Sequence, residues 1–143
     1  MRARFLAAVV ACSAVLLGTP LFAHHAVGGE YDASKPVSVT GTVTKVEWVN
    51  PHSRVYFDVV DPDGKVTNWS VELAARVVLE RMGWNGRSLK VGEKVTVRGD
   101  QARSGAPMLN ARAREQRELQ ATKGAPPEYP ITRADGTPVL NDR

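Results

Sequence analysis

One stretch constrains the fold more than any other. From Val37 the apolar residues alternate, with Val37, Val39, Gly41 and Val43 on one face, and then the parity flips to Val46 and Trp48. Side chains of a strand point strictly to alternate faces, so both sets face one core only if an extra residue is inserted. The pattern predicts a long strand over Val37–Val49 with a β-bulge or sharp bend near Thr44-Lys45, its coiling assisted by Gly41. Asn50-Pro51 ends it, because proline cannot donate to a ladder and holds the preceding residue out of helical space.

The following segments read in sequence. Ser53–Val60 is a second strand with Val55, Phe57 and Val59 inward. Asp61-Pro62-Asp63-Gly64 is a turn, with proline setting one corner and glycine allowing a left-handed one. Val66–Leu73 is a third strand, with Thr67, Trp69, Val71 and Leu73 inward, and it pairs with the second as an antiparallel hairpin. The period then changes. Ala75, Val78, Leu79 and Met82 lie on one face of a short helix that Gly83 stops. Lys94–Arg98 is a fourth strand, Gly99–Ala106 a loop and Met108–Arg114 a fifth strand. Three strands, a short helix and two strands, with a kinked first strand, predict an all-β fold. It is a small five-stranded OB-like Greek-key barrel with one short helix between strands 3 and 4. A split β-sandwich is the alternative. The barrel is expected over residues 37–115, preceded by an arm over 24–36 and followed by an extended or disordered tail over 116–143.

The first 23 residues are read as a signal peptide outside this fold. Arg2 and Arg4 precede an apolar run from Phe5 to Leu17, Gly18 and Pro20 end it, and Ala23 offers a small residue for cleavage. The run is short for a membrane span. An uncleaved anchor, or lipidation at Cys12, are the other readings. Removing Arg2 and Arg4 lowers the basic residues from 19 to 17 against 15 acidic ones, and the single cysteine leaves with them. Disulfides, all-cysteine zinc sites and C-x-x-C redox chemistry are thereby excluded. The expected location is the periplasm or the exterior.

Several motifs together resemble a known family. They are Ala23-His24-His25, Glu30-Tyr31-Asp32, Gly41-Thr42-Val43, Trp48-Val49-Asn50-Pro51-His52, Gly83-Trp84 and the run from Ser88 to Val97. The chain resembles the exported bacterial domain-of-unknown-function family 6152 over roughly residues 23 to 114. No established activity comes with that resemblance. Two departures are visible: Ala26-Val27 stands where the family has a serine and an aromatic residue, and Ala74–Val78 where it has a Gly/Pro-rich segment. A weaker similarity, in topology and a Gly-x-x-Val pattern, is to periplasmic bacterial OB-fold proteins.

The three histidines, His24, His25 and His52, carry the chemical argument. Cleavage after Ala23 makes His24 the N-terminus, where the α-amino group and the imidazole can chelate one ion. A third nitrogen from His25 or His52 completes a tetragonal set suited to Cu(II). Glu30 and Asp32 are candidates to support such ligands. The plainer alternatives are a solvated N-terminus and a His52 that caps the turn, as Asn50 can also do. Trp48, Trp84 and Asn50 are candidates for a ligand-binding rim beside His52, with packing as the competing reading for the indoles.

No nucleophile elbow, H-E-x-x-H motif or P-loop is present, and the chain is read as a binding module, not an enzyme. Ser70 and Glu72 face outward with no histidine assigned near them. The expected partner is a metal ion, a small ligand or a periplasmic protein. Nucleic acid is excluded on the near-neutral charge and on export, and the chain is expected to be a monomer free of the membrane after cleavage. Metal binding and a non-metal interaction at the barrel rim are the two functional readings.

Overall fold

In the computed structural model, residues 29–112 and 130–139 are described. The alternating first segment forms β1, Tyr31–Glu47, followed by β2, Arg54–Val60, and β3, Val66–Glu72. The short helix α1 spans Arg76–Arg81. Then come β4, Lys94–Ala102, β5, Met108–Asn110, and β6, Ile131–Arg133. The strand order is β1-β2-β3-β5-β4-β6, and β1 also pairs with β4. That extra pairing closes β1 to β5 into a barrel. β3 and β5 run parallel and every other ladder is antiparallel. The topology is that of an OB barrel.

The parity flip in β1 is where the sequence predicts it. The ladder to β2 passes from Val43 opposite Phe57 straight to Lys45 opposite Tyr56, leaving Thr44 as the extra residue. Val46 then faces Val55, and the strand keeps its apolar side on the core across the irregularity. Gly41 has a different reason from the one expected. A Cβ there would stand 2.5 Å from the Asp58 carbonyl oxygen and 2.8 Å from Phe57 Cδ2. Glycine is required because two strands cross too closely for any side chain.

The hairpin is also as read. Val60 pairs with Val66, Asp61 N–H donates to the Lys65 carbonyl, and Gly64 has φ 83°. The core holds Phe57, Leu79, Val95, Val97 and Leu109, none of them measurably exposed. Leu79 is the residue of α1 buried in that core, and Gly83, at φ 92°, follows the helix.

Three differences stand out. β1 starts at Tyr31, inside the segment read as an arm, and β4 runs to Ala102, inside the segment read as a loop. They are one event, because Tyr31 pairs with Ala102 and Asp32 with Gln101. The polar, proline-containing stretch that looked like loop is a second irregularity, between Asp32 and Pro36, in which Ser34 donates from both N–H and Oγ to Asp32 Oδ1. Within the C-terminal segment read as an extended tail, Ile131–Arg133 add β6 to β4, with Ile131 and Val139 buried. The fifth strand, expected to run to Arg114, ends at Asn110, and Ala111 and Arg112 are not in a strand; Ala113, Arg114 and the signal segment lie outside the described residues. Among those described, no helix is long and apolar enough to cross a membrane.

Candidate functional site

The loop between β1 and β2 is held by the segment that follows β3. Ser53, almost fully buried, donates its N–H to the Ala74 carbonyl at 3.1 Å and accepts from Leu73 N–H at 2.9 Å. Its hydroxyl donates to the Val49 carbonyl at 3.2 Å, which also accepts from Arg76 N–H at 3.4 Å. The Asn50-Pro51 peptide is cis. These bonds fix the loop, and with it His52, over the end of β3.

His52 does not serve as a turn cap. Its Nδ1 stands 3.2 Å from Oε1 of Glu72. The same carboxylate receives Arg112 Nη1 on Oε1 at 2.9 Å and Arg54 Nη2 on Oε2 at 3.1 Å. The sheet register produces this meeting. Arg54 lies opposite Glu72 in the β2–β3 ladder, and Asn110 lies beside Glu72 in the parallel β3–β5 ladder. Arg112 follows two residues later, its N–H bonded to Asn110 Oδ1 at 3.1 Å. The Glu72 side chain is 11% exposed and that of His52 36%. One largely buried carboxylate therefore gathers two guanidinium groups and an imidazole that still reaches solvent.

Tyr31, the first residue of β1, feels the charges of this cluster. Its phenol is buried and its pKa is pushed up to about 12, first by that burial and then by the negative charges of Glu30 and Glu72. Arg54 and Arg112 pull the other way. The start of β1 thus lies within electrostatic range of Glu72.

The remaining candidates are distributed elsewhere. Asp32 is bonded to Ser34, with Arg103 at 3.7 Å, and its carboxyl lies below the ordinary value chiefly because of those Ser34 bonds. It is not the carboxylate beside His52; Glu72 is. Asn50 is exposed, and Trp48 is half-buried against the core. Trp84 is a core residue, 3% exposed, with its indole N–H unbonded among the described residues. Packing is therefore its observed role. His24 and His25 lie outside the described residues, and among the described residues no group of three metal-binding side chains occurs.

The residues missed from sequence are Glu72, Arg54 and Arg112. The signal for the first was available: once the Asp61–Gly64 turn sets Val60 opposite Val66, counting back puts Arg54 opposite Glu72, two residues from His52. The outward Glu72 has a histidine beside it after all.

The family model for a family of unknown function, DUF6152, matches residues 10–109, more than two-thirds of the chain. The chain belongs to the DUF6152 family. No curated protein matches it. Among solved structures, a dimeric N-terminal domain of PriB protein from Thermoanaerobacter tencongensis is similar at 19% identity and a TM-score of 0.37, over 47% of this chain and 74% of that one. A small single-stranded DNA-binding protein from Streptomyces coelicolor is similar at 17% identity and a TM-score of 0.30, over 46% and 73%. The exclusion of nucleic acid made from sequence is corrected by this finding and is not kept. A near-neutral total charge describes the whole chain and not any one face of a barrel.

Proposed function

We propose that this DUF6152 protein is an exported, periplasmic binding module that holds a copper-type ion, Cu(II), through His52 together with His24 and His25. The observation that supports the reading is the shared neighbourhood of Glu72. His52 lies beside it, Nδ1 at 3.2 Å, with its ring still reaching solvent, and the chain enters the barrel at Tyr31 within electrostatic reach of the same carboxylate. His24 and His25 precede Tyr31 by only seven and six residues. Three nitrogen donors with the α-amino group of a processed His24 form a tetragonal set of the kind Cu(II) prefers. The role is binding; the cluster contains no activated nucleophile.

The test is a Cu(II) titration of the chain beginning at His24. The comparisons are a chain with one extra N-terminal residue and a His52→Ala variant. Both changes are expected to weaken binding by about tenfold or more, and Cu(II) is expected to raise the melting midpoint of the unaltered chain. Equal affinity across all three chains, or an unchanged midpoint, refutes the copper reading and favours a non-metal interaction at the rim.

A further inference from the structure

We infer that residues 130–139 are a detachable ligand of the barrel, bound in a strand-accepting groove along the outer edge of β4. β1 occupies one edge of β4, from Lys94 to Ala102. On the other edge β5 pairs at Asp100 and Gln101. β6 fills the part that β5 leaves, with Ile131 opposite Val97 and Arg133 opposite Val95. Arg98 N–H donates to the Pro130 carbonyl at 2.8 Å. An edge without such a neighbour presents a row of free N–H and C=O groups, the template that strand addition uses.

The groove has two kinds of seat. Ile131 and Val139 enter the core, each 1% exposed. Arg133 donates Nε to Glu93 Oε1 at 2.8 Å and Nη2 to the Ser88 carbonyl at 3.3 Å. The other oxygen of Glu93 accepts from Lys90 N–H at 3.0 Å, so the acceptor is held before the arginine arrives. The segment is also folded on itself. Gly136, at φ 82°, donates its N–H to the Arg133 carbonyl, and Arg133 N–H donates to the Thr137 carbonyl. The barrel closes without it, because β1 pairs with β4. Of the fifteen buried core residues among those described, thirteen lie from Val43 to Ala111. The family match, residues 10–109, also ends before β6. The partner this groove fits is therefore an extended segment with a branched apolar residue two places before an arginine, and the chain supplies one itself.

Two measurements test this. In the first, a protease site placed within residues 113–129 lets the segment be cut from the barrel of the chain beginning at His24 while it is still bound. A labelled synthetic peptide of residues 128–143 is expected to exchange into the cut protein with the circular dichroism of the barrel retained. Peptides carrying Ile131→Asp or Arg133→Ala are expected to compete about tenfold less well or worse, as for the loss of a buried anchor. A cut protein that unfolds when its segment is washed out, that admits no labelled peptide, or that does not discriminate the altered peptides overturns the proposal. The second is amide hydrogen exchange in the uncut chain. Arg98 N–H is bonded to Pro130, whereas its neighbour Val97 lies opposite Val39 in the β1–β4 ladder. The protection factor of Arg98 is expected to be about tenfold or more below that of Val97, because β6 opens without the barrel. Equal protection means that segment and barrel are lost only together, and overturns the proposal.

Discussion

Gly41→Ala tests the strand crossing directly. The added Cβ would lie 2.5 Å from the Asp58 carbonyl oxygen, against at least 3.4 Å for ordinary contact, so β1 or β2 must move by about 1 Å. The neighbour is backbone in a barrel ladder, with the Phe57 ring at 2.8 Å behind it, and neither is a flexible tip. Overpacking of this kind costs about 1–3 kcal/mol. Alanine recovers about 0.4–1 kcal/mol by restricting the unfolded chain. The net expectation is a loss of about 1–2 kcal/mol, or a melting midpoint lower by about 5–15 °C for a domain of this size. Gly29→Ala is the control: nothing lies within 4 Å of its Cβ position and its backbone is helical, so it should not destabilise. Thermal and urea melts by circular dichroism measure both. If Gly41→Ala melts within about 2 °C of the parent, or Gly29→Ala falls as far, the close-approach argument is wrong.

Two further outcomes are expected. Leu79→Ala should cost about 2–5 kcal/mol in a urea melt, because the side chain is fully buried and α1 has no other buried residue to replace it. Tyr31 should give the protein an alkaline limit. Its pKa rises from 10.0 to about 12 on folding, so its contribution is complete below pH 10 and is lost as pH rises from 10 to 12. The loss is at most about 2.7 kcal/mol. A pH series of urea melts should show this slope, and Tyr31→Phe should flatten it.

What the sequence revealed and what it hid have a common physical basis. The bulge at Thr44 was legible because side-chain parity is a local property of a strand. The β2–β3 hairpin was legible because Asp61–Gly64 fixes both a turn and a register. The extra length of β1 and β4 was not, because Asp32 to Pro36 has loop chemistry and only pairing with Gln101 and Ala102 makes it strand. β6 was hidden for the same reason: three residues after a proline-rich stretch become a strand by meeting β4. At the site, His52 was visible as a histidine beside a proline stop. Its partner Glu72 required the hairpin register to be counted out, and Arg112 required the parallel β3–β5 pairing, which no local pattern announces.

The bulge at Thr44 has a consequence for how this barrel tolerates change. If Thr44 were removed, Val43 and Val46 would still face the core, since the remaining residues alternate regularly. What would vanish is the bend a bulge imposes on its strand. β1 needs that bend to lie along β4 with one half and along β2 with the other. Thr44 is exposed, and its hydroxyl accepts one bond from Asn68 at 3.2 Å. The position is therefore indifferent to which residue fills it and intolerant of having none: among variants of this chain, substitutions at 44 should accumulate freely, while single-residue deletions there should open the barrel.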